Sequence, residues 1–336
     1  MGTMSTDPAP PGGPNLPGGP NLPDQAAVPG GPNLPDQAAF PGDLFRRLFD
    51  DASLFPPADL AMRAAVAGHM RHASAWYHTL TGPFVCPETR LGELSAVLTA
   101  PNIPELDLAL VVTGGAAAVA PATDAVAAEP RLRLRAIEVA ATPTAGAGHS
   151  AAEVTAALDG ALLAGAACYI EIPAGFLTDP TAASRVLALV DGRGYRAKLR
   201  TGGLTAAAFP DETTLAACLS AIVAARIPFK CTAGLHHAIR HTDAATGFEH
   251  HGFLNVLLAV GAAAAGASPA EITAVLAQRD PEVIAARVQG LDADTSAEIR
   301  SLFTSFGTCS TDEPVADLIG LGLISQPRES VMPRRS

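Results

Sequence analysis

Lysine is nearly absent from this chain. Lys198 and Lys230 stand alone against twenty arginines. Writing almost every basic residue as arginine, beside so much alanine, suggests a coding bias that replaces lysine wherever a plain positive charge is enough. The two exceptions then point to a need for an amine. Arginine does not lose its proton in a protein, whereas a desolvated or charge-crowded lysine can become a nucleophile or general base. The plain alternative is two surviving surface lysines. Cations are scarce as a whole, with 22 Lys and Arg against 33 Asp and Glu, a formal charge of -11 and a pI near 5.2. That balance argues against nucleic acid or an anionic membrane as the main partner, and any anionic ligand must be held by local cations.

Other absences narrow the class further. Cys86, Cys168, Cys218, Cys231 and Cys309 form an odd, scattered set with no CxxC spacing. This fits reduced thiols in the cytoplasm rather than a disulfide framework or zinc ribbon, so no structural metal and no cofactor are expected. The N-terminus lacks a basic start followed by an apolar stretch, and no run reaches the roughly 18 apolar residues of a membrane span. The nearest, Phe253 to Ala267, is short and contains Asn255, so it reads as a buried helix. No early GxGxxG follows the first strand-like run, which weakens a dinucleotide-binding reading.

What is present is enough for a large core: 336 residues, 48% of them hydrophobic. Residues 1–42 stand apart, because GGPNLP recurs at Gly12, Gly18 and Gly30. Such Pro and Gly content cannot pack a core, so this segment is expected to be a disordered tail or linker, either a tether or an idle repeat expansion. Residues 43–330 are expected to form a single catalytic domain. Strand-like runs at Leu106 to Thr113, Leu132 to Ala140, Ala167 to Pro173, Tyr195 to Thr201, Ile227 to Thr232 and Leu302 to Thr308 alternate with helical segments. The helices are expected at Ala151 to Ala164, Pro180 to Gly192 and Asp211 to Ala225, then as one longer stretch from His251 to Arg300. A strand–helix–strand spacing of about thirty residues marks parallel βα units. Near-continuous apolar strands such as CYIEI suit a sheet covered on both faces. A TIM-type (β/α) barrel fits best, with an open doubly wound sheet as runner-up.

In such a barrel, chemistry gathers at the C-terminal ends of the strands. The unusual residues fall there: Glu138 in AIEVAA, Glu171 in YIEIPAG, Lys198 and Arg200 in AKLRTGG, Lys230 in FKCTAGLHH, Cys309 and Ser310 in FGTCS. An ionisable side chain inside an apolar strand is costly unless paired or functional. Glu138 and Glu171 are therefore either catalytic or buried partners of arginine or backbone amides.

These strand ends resemble those of the class I deoxyribose-phosphate aldolases. The family's Lys-x-x-Thr-Gly element bearing the Schiff-base lysine is similar to Lys198-Leu-Arg-Thr201-Gly202. Its next strand resembles Lys230-Cys-Thr232-Ala233-Gly234-Leu235, and a later Gly-Thr-Ser element resembles Gly307-Thr308-Cys309-Ser310. The resemblance implies a barrel lyase with an imine-forming lysine, Glu138 near the family's catalytic Asp and Glu171 on the strand before the lysine. Glu138 in place of Asp, Arg200 inside the lysine motif, the His236-His237 pair and the long Ala238 to Ser301 stretch depart from the pattern. They point away from deoxyribose phosphate as the substrate and toward a distant barrel family.

The residues carry their own chemical case. An imine forms when a neutral amine attacks a carbonyl, and a neighbouring cation disfavours protonation of that amine. Lys230 and Arg200 are expected to act in this way on Lys198, with Glu138 or Glu171 moving protons. Gly202, Gly203, Gly234 and Gly307 would let backbone N–H groups approach a phosphate or carboxylate, or simply make tight turns. Thr201, Thr232, Cys309 and Ser310 would complete the substrate mouth. Cys309 and Cys231 are either nucleophiles beside His236 or His237, or small buried thiols.

His236, His237, His241, His250 and His251 fall within sixteen residues. They could bind a divalent ion, hydrogen-bond substrate or close a helix end. Asn255 is the i+4 neighbour of His251 and is expected to orient its ring or touch substrate. Asp312 and Glu313 read as helix caps.

The reading is a cytoplasmic aldolase or lyase acting on a small anionic carbonyl or phosphorylated substrate through an imine at Lys198 or Lys230, either of which could be the neutral amine. It needs no nucleic acid or membrane partner and is compatible with a homo-oligomer. Three alternatives remain: a phosphoribosyltransferase-like barrel enzyme whose Lys and Arg bind anions, a metal-dependent hydrolase using the histidines, and a non-catalytic chain whose tail recruits partners.

Overall fold

The computed structural model describes residues 43–327 except 102, 142–146, 162 and 164. The tail expectation for residues 1–42 lies outside the described residues. Eight strands close into a barrel in the order β1-β10-β7-β6-β5-β4-β3-β2, every neighbouring pair parallel. They are β1 Phe49–Asp51, β2 Thr81–Pro87, β3 Leu106–Val112, β4 Leu132–Ala140, β5 Ala167–Glu171, β6 Arg196–Arg200, β7 Phe229–Thr232 and β10 Phe303–Thr308. An antiparallel ribbon, β8 His241–Thr242 with β9 Glu249–His250, lies in the chain between β7 and β10. The barrel is TIM-type, and the doubly wound alternative is set aside by its closure.

Alternation along the strands sorts the side chains. Ile137, Val139, Ile170, Ala197, Leu199, Phe229 and Cys231 are at most 2% exposed and belong to the main core. Burying each large apolar side chain stabilises the fold by about 1.5–3 kcal/mol. With a period of two, the residues between them must face the other way. Glu138, Tyr169, Lys198 and Lys230 are those residues. Val85, Ala109, Ala136 and Tyr169 form a second, smaller cluster. Small residues on β2, β3 and β4 leave room for the long side chains of β5, β6 and β7, as layered barrel packing requires.

The helices that cover the barrel start where short polar residues meet free N–H groups. Asp179 accepts from the Ala182 amide, Asp211 from Thr214, Asp280 from Glu282 and Val283, and Asp292 from Thr295. Each such cap contributes about 0.5–2 kcal/mol. The expected helical stretch from His251 to Arg300 is instead four helices, Phe253–Ala264, Pro269–Ala277, Pro281–Gln289 and Ala293–Leu302. The breaks follow from Gly266 at φ +82 and from the Ser268–Glu271 capping box, with Pro269 and Pro281 each opening a helix. Phe253–Ala264 is buried from Phe253 through Val260, as expected for that apolar run. The stretch Ala206–Ala224 matches a membrane span by length and apolar composition. In the fold its helical part, Glu212–Ala224, buries Leu215, Leu219 and Ile222 in the core.

Candidate functional site

Inside the barrel, six ionisable side chains from five strands form a row in which acids and bases alternate. Asp50 of β1 accepts from Lys230 of β7, and Lys230 Nζ also lies 2.5 Å from Glu138 Oε1 of β4. The other oxygen of Glu138 is 2.8 Å from Lys198 Nζ of β6, which also stands 3.1 Å from Glu171 Oε2 of β5. Glu171 Oε1 then accepts from Arg200 Nε at 2.9 Å. One carboxylate therefore lies between the two amines. Lys198 and Lys230 are directly opposite in register, which is why a single carboxylate can serve both. Ser305 of β10 donates to Asp50 at 2.8 Å, and the Tyr169 ring centroid lies 5.5 Å from Lys230 Nζ.

The row is buried at one end and open at the other. Side-chain exposure is 2% at Lys230, 4% at Lys198, 15% at Glu171 and 50% at Arg200. A ligand arriving from the C-terminal mouth meets Arg200 and Glu171 before either amine.

Electrostatics differ from the expected mutual crowding of amines. Burial works against the Lys230 ammonium, yet Asp50 and Glu138 outweigh it and raise its pKa. Lys230 is thereby held as a cation, a correction to the idea that either lysine could be the neutral one. Burial alone would raise Glu138, but the ammoniums of Lys198 and Lys230 bring it down to about 2. Glu171 is likewise lowered despite burial, through Lys198 and Arg200. Asp50 goes the other way, because burial exceeds the help from Lys230 and Ser305. Of the two carboxylates on Lys230, Asp50 is the better base.

The rim residues divide. Thr201 is buried, with its hydroxyl donating to the Ala233 carbonyl at 2.6 Å. A Cβ at Gly202 would stand 2.7 Å from Gly234 Cα and from the Phe209 ring, and Gly234 itself has φ +75. These two glycines let adjoining turns touch each other, so close packing rather than an open anion cradle explains them. A Cβ at Gly203 would meet Ala208 at 2.7 Å, whereas at Gly307 it would meet only ordinary contacts. Thr232 is half-buried opposite Arg200 in register, and Ser310 packs at the rim with its carbonyl accepting from Thr308.

Four of the five histidines lie together: the rings of His237 and His241 are 4.8 Å apart, those of His241 and His250 5.2 Å and those of His236 and His250 6.5 Å, while His251 bonds elsewhere. His236 Nδ1 is 3.2 Å from Glu313 and 3.6 Å from the Cys309 sulfur, and these partners raise its pKa to about 9 against burial. His237 pairs with Asp317 at 3.1 Å. Asp312 and Glu313 stand in the first turn of the helix Asp312–Gly320, at its positive end as expected, while their side chains bond Tyr77 and His236 rather than capping the helix. Among the described residues no three of His, Cys, Asp and Glu converge as a metal site. Cys309 is half-buried beside His236; Cys231 is buried in the core, with its thiol pushed up chiefly by burial.

His251 and Asn255 are corrected to structural roles. Both have no exposed surface. Asn255 directs its hydrogen bonds elsewhere than to His251: its oxygen accepts from the Arg240 amide, and its nitrogen donates to the carbonyls of Val275 and Gln278. His251 donates from Nε2 to the Pro210 carbonyl at 2.8 Å and accepts at Nδ1 from Arg240 at 3.2 Å. Burial, opposed by Pro210 and helped by Arg240, lowers its pKa to about 4. A histidine held below its unfolded pKa stabilises fully above that unfolded value and less as the pH falls through the folded one. Unfolding free energy is expected to drop by on the order of 3 kcal/mol between pH 6.5 and 4 from this residue alone. Urea titrations across that range check it, and a His251→Gln variant should lose that part of the slope.

No protein-family model matches the chain, and no curated protein matches it in sequence. The barrel is thus established by the structure, and the likeness to class I deoxyribose-phosphate aldolases rests on the short strand-end motifs.

Sequence reading missed Asp50, Tyr169 and Ser305. Asp50 sits on a three-residue strand, Phe-Asp-Asp, with no apolar run to mark it. The signal that could have found it is the acidic pair inside LFRRLFDDASLF. Alternation turns Asp50 inward and Asp51 outward, where it meets His69 at 3.0 Å.

Proposed function

We propose that this barrel is an aldolase or lyase that acts on a small anionic carbonyl compound through an imine at Lys198. The observation that carries the reading is the shared carboxylate. Glu138 lies between two amines, and only the Lys198 side of the row leads to the mouth. Lys230, gripped by two carboxylates, serves as a fixed positive charge.

The substrate anion binds Arg200 and draws its guanidinium from Glu171. Glu171 loses one of the charges that lower its pKa and becomes a stronger base. It takes a proton from Lys198, whose free amine adds to the carbonyl carbon. One amine proton moves to the carbonyl oxygen, and Glu171 returns the other as water leaves, giving the iminium. A carboxylate then removes the proton of the substrate hydroxyl on the β carbon. The α–β bond breaks, its electron pair enters the iminium to form an enamine, and an aldehyde departs. Protonation of the enamine and hydrolysis release the second product and restore Lys198.

Borohydride added with a panel of 2-oxo acids and phosphorylated aldehydes tests this reading. Irreversible loss of turnover is expected only when a carbonyl compound is present. Undiminished turnover after reduction with a compound that is demonstrably converted would overturn it.

A further inference from the structure

The opposite end of the barrel carries an unassigned basic cavity. Its volume is about 790 Å³, and its wall holds Arg47, Arg135, Arg193 and Arg196 with no carboxylate among the lining residues. These residues stand before or early in β1, β4, β5 and β6, at the N-terminal mouth, whereas Arg200 closes the C-terminal one. The size suits a small molecule.

The guanidiniums are sparsely satisfied. Among the described residues Arg47 and Arg135 both bond Asp107, at 3.1 and 2.9 Å, Arg193 bonds Asp159 at 2.9 Å and Arg196 bonds the Tyr169 hydroxyl at 3.1 Å. Asp107 is also approached by Arg133 at 3.4 Å. Each guanidinium has five N–H donors in a planar fork suited to phosphate oxygens. Among the described residues four cations thus line one cavity with two flanking carboxylates; with Arg133 and its partner Glu105 beside them, five cations meet three carboxylates, an excess of about two positive charges. In a chain of net charge -11 this is a local reversal of sign.

We propose that this cavity is a second anion site, taking a small phosphate-bearing molecule with two or more negative charges. The site is separate from the imine chemistry and does not depend on it. It is also connected to it: Arg196 and Lys198 share β6 two residues apart, and Arg196 holds the hydroxyl of Tyr169, whose ring faces Lys230. A phosphate on Arg196 therefore sits one side chain from the interior row.

Calorimetric titration of the full chain with inorganic pyrophosphate tests the proposal. Saturable binding at one site per chain is expected, weakening as salt rises. An Arg47→Ala/Arg193→Ala double variant, which alters two half-exposed side chains, should weaken it by at least about tenfold, with unchanged melting as the control for folding. Arg200→Ala should leave the affinity within about twofold of wild type, where loss of a charged hydrogen bond would exceed that. Failure to bind, binding indifferent to the double variant, or binding abolished by Arg200→Ala would each overturn it.

Discussion

Replacing Glu138 with leucine is expected to destabilise the protein by about 3–5 kcal/mol. The carboxylate contacts both buried amines, so its loss leaves two ammoniums with one partner each, Asp50 for Lys230 and Glu171 for Lys198. Leucine adds apolar surface but cannot answer an ammonium 2–4% exposed. The row also predicts its own rescue. Without Glu138 and Lys198, Asp50 still balances Lys230, and Glu171 still balances Arg200. The Glu138→Leu/Lys198→Met double variant should therefore recover most of the lost stability, a coupling that urea denaturation of the four-member cycle measures directly. Destabilisation equal to the sum of the single changes would show that the charges do not act as one row.

Lys198→Arg is expected to leave the fold intact and lower turnover on the order of 10³-fold or more. Arginine keeps the positive charge and can still reach Glu138 and Glu171, but its guanidinium does not give up a proton to become a nucleophile. The variant thus separates an amine from a cation. A steady-state assay beside a melting curve reads both, and the loss should fall on kcat rather than on stability. Retained activity would favour the anion-binding role, in which Lys198 and Arg200 only hold a charged substrate.

The parts of the fold legible in the sequence were those set by local chemistry. Strands β3 to β7 and β10 announce themselves as apolar runs, and Glu138, Lys198 and Lys230 stand out because charge inside such a run has few explanations. β1 and β2 were not legible. β1 is three residues with two acids, and β2, Thr-Gly-Pro-Phe-Val-Cys-Pro, carries the residues that normally interrupt a strand. With β1 went Asp50, whose contact with Lys230 spans 180 residues and leaves no local trace.

The electrostatics of the site were the other loss. Two scarce lysines on adjacent strands suggest amines that lower each other's pKa, but side-chain direction decides which charges meet. The pleat brings Asp50, Glu138 and Glu171 into the same space, and carboxylates between the amines reverse the effect at Lys230. His251 and Asn255 show a related limit. Their spacing reads as helical, but His251 stands ahead of the helix that begins at Phe253, and the burial of both and their use of the backbone of Pro210, Arg240, Val275 and Gln278 arise from the assembled fold.

Peptide mapping of borohydride-reduced protein gives the most direct test, because the chain holds two lysines and each falls in a different strand. After turnover of a carbonyl substrate in the presence of reductant, the account predicts a mass increase equal to the reduced substrate on Lys198 and none on Lys230. A tag on Lys230, or no tag on either while product continues to form, would contradict it.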